Sequence, residues 1–185
     1  MKSQFTDPQD FKNFLFGLFK ESTHQRGHWL NHGVLATAQI TGAPSARTVV
    51  IRDFSETLDL EIHSDSRSNK VMDIQINPRA EILFYDPVTQ VQLKCYGKMT
   101  VISSGPKADA AWKKIPTASR KQYTTLLAPG TVIDHSKELT YKPKRHFCIL
   151  QLQTEGVEFL KLGDPHQRMR LIKKEGILSL ENLVP

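Results

Sequence analysis

The sequence predicts a mainly β protein with helices, an antiparallel β-barrel that carries an N-terminal helix and peripheral helices. Strand-like segments follow one another through short turns with one short helix between them, which is typical of a barrel of hairpins. An amphipathic helix precedes these strands, and a second helical region interrupts them. We expect a single domain over residues 1–185, with the N-terminal helix at about 7–22, the barrel at about 30–102 and 147–185, and a helical insert at about 105–130.

The first helix begins at Asp7, a good N-cap residue, with Pro8 in the first helical position. Apolar residues then recur with helical spacing and form one broad stripe. Lysines, acidic residues and amides share the opposite face, which favours packing on the barrel or on a partner subunit over a membrane anchor. The stripe comprises Phe11, Phe14, Leu15, Leu18 and Phe19.

The first barrel strands are predicted from alternating and β-branched segments. Residues 32–40 alternate apolar and polar side chains, and a turn over 41–45 joins them to a strand over 46–54. A further strand covers 58–64. These segments are expected to pair as antiparallel neighbours.

A short helix begins near Asn69 and stops at Pro78, because the residue before a proline avoids the α region. The segments 80–85 and 91–102 then form a hairpin across the turn 86–89. Beyond it we expect helices over 105–116 and 117–130, a loop over 131–145, and strands over 147–162, turning at Glu155-Gly156, and over 167–174, before the closing residues 177–185.

The composition limits the kinds of ligand and partner that the chain is expected to bind. The net charge of +6 favours an anionic ligand, but basic residues are spread along the chain without interleaved aromatics, so no nucleic acid is expected. No apolar run is long enough to span a membrane, and the polar start does not resemble a secretion signal, so the expected location is the cytoplasm. Cys95 and Cys148 lie in strand-like segments without metal-type spacing, which favours buried free thiols.

Three histidines have a spacing that could indicate a metal site. His24, His28 and His32 are spaced four apart, as ligands on one helix face would be. Gly27 interrupts that helix, however, and no cysteine or carboxylate joins the histidines. We therefore expect no metal.

Cationic and hydroxyl side chains surround the start of the short helix. Lys70 stands near its N-terminus, where a cation is unfavourable unless an anion is bound there. Arg47 and Arg52 flank the strand over 46–54, and they would face opposite sides of a regular strand, so one ligand could contact both only across a bulge or around the strand end. With the hydroxyls of Ser64, Ser66 and Ser68 they suit a phosphate monoester; the alternative is a set of solvated charges on an edge strand.

Five motifs occur in a recognisable order. They are Arg47-Thr48-Val49-Val50-Ile51-Arg52, His63-Ser64, Ser68-Asn69-Lys70, Asn77-Pro78 with the strand up to Tyr85, and Gln92 before Gly97. Together they closely resemble the FMN-binding split barrel of pyridoxamine 5′-phosphate oxidase and its relatives. The resemblance covers about residues 30–102 and resumes near the C-terminus.

The resemblance implies FMN as cofactor, bound at the interface of a homodimer. The phosphate would lie among Arg47, Arg52, Lys70 and Ser64, and the ring would face Gln92 across the subunit cleft. One cation of the family's phosphate pair is missing at Asn69, and Arg67 is a candidate to replace it. The residues implied in cofactor binding are Arg47, Thr48, Val49, Val50, Ile51, Arg52, His63, Ser64, Asn69, Lys70, Gln92 and Arg170.

The substrate side departs from the family pattern. The resemblance implies a small phosphorylated or anionic substrate near Ser119, but the family's tyrosine and arginine before that serine are missing. The substrate candidates are Trp112, Ser119, Arg120, His166 and Arg168. Trp112 is also explained as a core or interface aromatic, and His166 and Arg168 as a polar turn. These departures resemble a compact branch of oxidase-related FMN-binding proteins.

Three functions remain open at this point. The first is an FMN-dependent oxidoreductase resembling pyridoxamine or pyridoxine 5′-phosphate oxidase, in which the flavin carries the chemistry and no catalytic side chain is required. The second is a flavin-binding module without turnover. The third is a reductase of another substrate that uses a nicotinamide or deazaflavin donor.

Overall fold

The computed structural model describes residues 5–134 and 138–184. Its helices are α1 (Pro8–His24), α2 (Asn69–Ile76), α3 (Pro106–Lys114) and α4 (Thr117–Arg120), with single 3-10 turns at Trp29–Asn31 and Lys121–Tyr123. Its strands are β1 (His32–Ala38), β2 (Pro44–Phe54), β3 (Leu60–Asp65), β4 (Arg79–Asp86), β5 (Val91–Ile102), β6 (Phe147–Lys161), β7 (Gln167–Lys174) and β8 (Ile177–Asn182).

Six of these strands close into an antiparallel barrel. Their order is β3-β2-β1-β4-β5-β6, and β3 also pairs with β6, which closes the ring. The remaining strands β7 and β8 continue the sheet outward from β6. The predicted mainly β antiparallel barrel with an N-terminal helix and peripheral helices is confirmed.

Helix α1 packs on the barrel through its apolar stripe. Asp7 accepts hydrogen bonds from the backbone N–H groups of Gln9 and Asp10 and so caps the helix as predicted. Three stripe residues, Phe11, Leu15 and Phe19, are fully buried. The ring of Phe19 lies 5.7 Å from that of Phe84, and the ring of Phe11 lies 6.1 Å from that of Phe159. Burial of these rings joins the helix to strands β4 and β6.

Strand β6 is one continuous strand of 15 residues, so the predicted turn at Glu155-Gly156 is wrong. Its pairing with β5 shifts register there: Tyr96 faces Gly156, whereas Gly97 faces Thr154. Glu155 is therefore the extra residue of a β-bulge. A glutamate–glycine pair suits a turn and a bulge equally, and only the pairing with β5 distinguishes them. The closing residues form strand β8, which the sequence did not predict.

Gly97 is required by this bulge. A Cβ atom at residue 97 would lie 2.0 Å from the carbonyl oxygen of Gln153, a backbone atom that cannot rotate away. We expect Gly97→Ala to destabilise the fold by about 1–3 kcal/mol, the usual cost of overpacking. Urea denaturation followed by circular dichroism measures this. Gly17→Ala, where nothing lies within 4 Å of the added Cβ, is the control and is expected to be neutral or slightly stabilising.

The helical insert ends earlier than expected. Helix α3 is confirmed, but helix α4 and the 3-10 turn after it stop at Tyr123, and residues 124–130 are not helical. The backbone of this segment bonds elsewhere: the N–H of Leu126 donates to the oxygen of Thr140, and the N–H of Lys142 donates to that of Thr124. These contacts across the loop replace the intrahelical bonds that propensity alone predicted.

The two cysteines are confirmed as buried free thiols. Burial raises the pKa of Cys95 and of Cys148 to about 12, so both remain protonated at neutral pH. No helix within the described residues is long and apolar enough to cross a membrane.

Candidate functional site

A bulge in β2 separates the two arginines of the first motif. The pairing of β2 with β3 shifts register between Ile51 and Asp53, so the irregularity falls at Arg52. Arg47, before it, lies against β1 and α2, whereas Arg52, after it, lines a groove beside α3. A bulge is thus present between the two arginines, but their guanidinium groups lie in different surroundings, so they do not meet at one site within this chain.

A cationic pocket lies at the start of α2, formed by Arg47, Ser64, Ser68 and Lys70. The Nζ of Lys70 lies 3.3 Å from the hydroxyl oxygen of Ser64 and 3.3 Å from that of Ser68. The two hydroxyl oxygens are 3.1 Å apart. Burial and then the charge of Arg47 lower the pKa of Lys70. Hydroxyl groups are the only hydrogen-bond partners of this ammonium in the described part of the chain.

Asp73 holds Arg47 in this pocket, and sequence reasoning missed it. Its Oδ2 lies 3.5 Å from a guanidinium nitrogen of Arg47 and accepts a hydrogen bond of 3.0 Å from the hydroxyl of Thr37. Thr37 in turn accepts a bond of 2.8 Å from Arg47. Burial lowers the pKa of Arg47, and the carboxylate of Asp73 opposes that shift. Its sequence position could have indicated this role, because Asp73 follows Lys70 by three residues on the same helix and the two therefore share a helix face.

The pocket has the donor set of a phosphate site. The two cations interact with each other, and only Arg47 makes an ion pair within the described residues, although the carboxylate of Asp65 is near enough to raise the pKa of Lys70 against the effect of burial. Ser68, the N-cap residue, does not cap α2 with its side chain but donates to the carbonyl oxygen of Asp65 at 2.8 Å. The helix start is therefore open to an anion, which the helix dipole also favours. The residues present fit the phosphate of a flavin nucleotide.

A groove of about 470 Å³ between β3 and α3, here called the β3–α3 groove, contains part of the remaining prediction. Arg52, His63 and Ser119 line it, together with Ala111 and Ile115. Within the described ranges Arg52 makes no hydrogen bond or ion pair, so its guanidinium is available to an anionic ligand. The groove therefore combines an apolar wall with one uncommitted arginine.

Glu61 connects the two walls of the β3–α3 groove. One of its oxygens lies 3.6 Å from Nε2 of His63, and the other lies 2.9 Å from Nζ of Lys107. His63 first and Lys107 next hold the pKa of Glu61 below its ordinary value, against the effect of burial. Lys107 also donates to Gln151 at 2.7 Å, so this ammonium is occupied by the protein itself.

Two of the predicted substrate residues, Arg120 and Trp112, contact other groups of the protein itself. Arg120 donates to the carbonyl oxygens of Ile115 and Lys113 at 2.9 and 3.0 Å, and it lies 5.4 Å above the ring of Trp112. Trp112 packs 5.6 Å from Phe147 in the smaller apolar cluster of the protein. This geometry favours the interpretation of Trp112 as a core aromatic.

Gln92, Arg168 and Arg170 lie on the outer face of the sheet, away from the cationic pocket. Gln92 alternates with the buried residues Val91 and Leu93, so it faces away from the core. Its cross-strand neighbour on β6 is Leu160, which in turn pairs with Arg168. Arg168 binds Glu158 at 2.7 Å, and Arg170 binds Glu181 at 2.6 Å. His166 is exposed just before β7.

Arg67 does not supply the missing phosphate cation. Its guanidinium donates to both oxygens of Asp65 at 3.0 and 2.7 Å and to the carbonyl oxygens of Thr125 and Leu126 at 3.0 and 3.2 Å. All of its directional capacity is used to fasten the loop after Tyr123. The sequence could not show this, since Thr125 lies 58 residues away.

Replacing Arg67 tests its role as a loop anchor. Arg67→Met leaves the buried carboxylate of Asp65 with one fewer cationic partner, and we expect a loss of about 1–3 kcal/mol in unfolding free energy. Trypsin or chymotrypsin should then cleave within residues 124–146 faster than in the unaltered protein. Arg79→Met, which removes an exposed pair with Glu155, is the control. Unchanged cleavage would contradict the anchoring role.

Comparison with known proteins gives consistent findings. The family model for the FMN-binding domain of pyridoxamine 5′-phosphate oxidase matches residues 10–103. A pyridoxine/pyridoxamine 5′-phosphate oxidase of Arabidopsis thaliana is 31% identical over 169 residues, which cover 82% of this chain and 83% of the relative. A dihydrophenazinedicarboxylate synthase of Pseudomonas chlororaphis is 31% identical over 150 residues, which cover 74% and 66%.

A solved structure agrees in fold. A pyridoxamine 5′-phosphate oxidase-related, FMN-binding protein of Nostoc punctiforme superposes with a TM-score of 0.77 at 29% identity, covering 94% of this chain and 96% of that one. The match covers more of the chain than the residues of the family model. The similarity therefore spans both the cationic pocket and the outer face that carries Gln92.

Proposed function

This chain belongs to the pyridoxamine 5′-phosphate oxidase family of FMN-binding split barrels, and FMN is its cofactor; on that premise we propose that it is an FMN-dependent oxidoreductase. It acts as a cytoplasmic homodimer on a small phosphorylated or anionic substrate by flavin-mediated hydride transfer. The proposal does not specify the identity of the substrate. The buried, reduced thiols of Cys95 and Cys148 support a cytoplasmic location.

The cationic pocket is the observation that carries the proposal. Lys70 and Arg47 are like charges in a half-buried place, and their proximity is unfavourable until an anion is bound between them. Asp73 and Thr37 fix the guanidinium of Arg47 before the ligand arrives. The hydroxyl oxygens of Ser64 and Ser68 hold the ammonium of Lys70 at this place. These residues hold the FMN phosphate in our proposal.

The second half of the flavin site comes from a second copy of the chain. Gln92 and Arg170 cannot share a cavity with Lys70 in one subunit, because they project from the outer face of the sheet. A homodimer places Gln92 of the partner subunit beside a flavin whose phosphate is held by this chain. Half-exposed apolar residues on the same face, such as Val34 and Tyr85, suit a subunit interface.

The chain's residues would bind and orient the flavin and the substrate, and FMN, when bound, would supply the redox chemistry of hydride transfer. Arg52 attracts the anionic group of a substrate into the β3–α3 groove, and Ser119 offers a hydroxyl there. Ala111 and Ile115 exclude water from that wall. His63, whose Nε2 lies 3.6 Å from Glu61, lines the same groove.

The test combines a spectrum with anaerobic reduction. The purified protein should be yellow or should take up one FMN per chain, and an electron-donating substrate should bleach the oxidised flavin spectrum. The panel contains pyridoxamine and pyridoxine 5′-phosphates and a dihydrophenazine carboxylate. A protein that remains colourless with added FMN would contradict FMN binding and with it the whole proposal.

A non-catalytic FMN-binding protein is the second candidate. It is favoured by the commitment of Lys107 to Glu61 and of Arg120 to backbone carbonyls, which leaves few cations for a substrate in the β3–α3 groove. The same anaerobic experiment separates the two functions. A persistent oxidised spectrum with every donor, including nicotinamides, supports the binder; bleaching by a nicotinamide alone supports a reductase.

A further inference from the structure

A large cavity in the described part of the chain lies away from the proposed flavin site. It has a volume of about 760 Å³ and lies between α1, the turn from β4 to β5 and the adjoining ends of β6 and β7. We call it the α1 cavity. Among its described lining residues is none of those predicted to hold FMN or substrate. Its volume is in the range of sites that hold small organic molecules.

The apolar stripe of α1 is wider than the barrel needs. Phe11, Leu15 and Phe19 are fully buried against the strands, whereas Phe14 and Leu18, on the neighbouring row, remain half-buried and line the α1 cavity. A surface helix normally turns polar residues to positions that its own fold does not cover. These two side chains pack against the edge of the core and leave part of their apolar surface open to a ligand in the cavity.

Aromatic rings form the walls of this cavity. The ring of Phe14 lies 5.0 Å from that of Phe5 and 6.1 Å from that of Phe159, which makes a continuous aromatic surface. Trp29 lines the cavity as well, with its ring 5.8 Å from that of His28. Aromatic walls favour planar aromatic ligands, which stack or pack edge-on against them.

Lys161 is the group of the lining that can bind a negative charge on the ligand, and the carboxylates of Asp86 and Glu21 lie in the same lining. Lys161 is exposed and makes no ion pair in the ranges that the structure describes, so its ammonium is available. Asp86 is already satisfied, because it accepts from the backbone N–H groups of Val88 and Thr89 and from the hydroxyl of Thr89. Glu21, the other carboxylate, is exposed on α1. Nδ1 of His28 accepts from the backbone N–H of Leu30, so the neutral ring presents a donor at Nε2.

We propose that the α1 cavity is a second ligand site, which takes a planar aromatic carboxylate of two or three fused rings with its carboxylate on Lys161. The rings pack among Phe14, Leu18 and Trp29. The site does not depend on the proposed oxidoreductase function, since its lining lies outside the cationic pocket and the β3–α3 groove.

Calorimetric titration of the FMN-loaded full chain tests the proposal with a matched pair of probes, naphthalene-2-carboxylate and naphthalene-2-carboxamide. We expect one equivalent of carboxylate per chain, bound about tenfold more tightly than the amide because of a single charged contact. Lys161→Gln should abolish that preference and leave amide binding unchanged. Leu18→Glu should weaken both probes by about tenfold or more, since it places a charge in the apolar wall. Lys174→Gln, an exposed lysine at the far end of β7, is the control.

Several outcomes would overturn the proposal. Absence of binding to the unaltered protein would remove the site, and equal affinity for the two probes would remove the role of Lys161. Binding that survives Leu18→Glu would place the probe elsewhere, for example beside Arg52. Val88→Glu guards against misfolding of Leu18→Glu, because Val88 is 87% exposed at the cavity rim. It should weaken the carboxylate and leave the amide unchanged, and an equal effect on both would count against the proposal.

Discussion

Lys70→Met is expected to weaken FMN binding by about 100-fold while riboflavin binding changes by no more than about twofold. Riboflavin lacks the phosphate, so it does not depend on the ammonium that the substitution removes. Titration of both flavins by fluorescence quenching measures the two affinities. Lys20→Met, on the exposed face of α1, is the matched control and should leave both unchanged. An equal loss for the two flavins would mean that Lys70 does not contact the phosphate.

The same substitution is expected to stabilise the flavin-free protein at neutral pH. Burial and Arg47 lower the pKa of Lys70 in the fold from its ordinary value of 10.5, so the protonated form costs stability. That cost is fully present below the folded pKa and disappears as pH rises toward 10.5, because the unfolded chain also loses its proton there. Thermal melting from pH 7 to pH 10.5 should show the advantage of Lys70→Met shrinking. An advantage that is constant with pH would exclude this electrostatic cause.

Phe19→Ala is expected to cost about 3–5 kcal/mol of unfolding free energy, a large part of the stability of a typical domain. Phe19 is fully buried, with ring centroids 5.6 Å from Phe54 and 5.7 Å from Phe84, so truncation leaves a cavity between α1 and the barrel. Urea denaturation gives the difference. Val132→Ala removes apolar atoms from a side chain that is 95% exposed and should be neutral. Equal midpoints for Phe19→Ala and the unaltered protein would mean that α1 does not form part of the core.

Local patterns predicted the features whose causes are local. The stripe of α1, its cap at Asp7 and the closeness of Ser64, Ser68 and Lys70 follow from spacing within one helix or one turn. A bulge between Arg47 and Arg52 was one of two ways in which a single ligand could contact both, and the structure has the bulge but places the two side chains in different surroundings. The resemblance to a known family added the cofactor, which residue patterns alone indicated only as an anion.

Long-range pairing decided what the sequence could not show. Glu155-Gly156 has the composition of a turn, and only the approach of Gly97 to Gln153 shows that the strand continues. Arg67 has a charge suited to phosphate, but its guanidinium pairs with Asp65 and donates to the carbonyl oxygen of Thr125, in a loop far along the chain. The separation of Gln92 from Lys70 arises from the alternation of strand β5 around a closed barrel, which propensity does not encode.

Strand β3 closes the ring by pairing with both β2 and β6, and Ser64, near its end, belongs to the cationic pocket. In the proposed site, the strand that closes the barrel therefore also carries a residue that holds the phosphate. A fluctuation that separates β3 from β6 also moves the hydroxyl of Ser64 away from the proposed phosphate position, and a bound cofactor opposes that separation. With FMN placed as we propose, cofactor binding and closure of the barrel are thermodynamically linked, so the bound nucleotide stabilises the barrel that holds it.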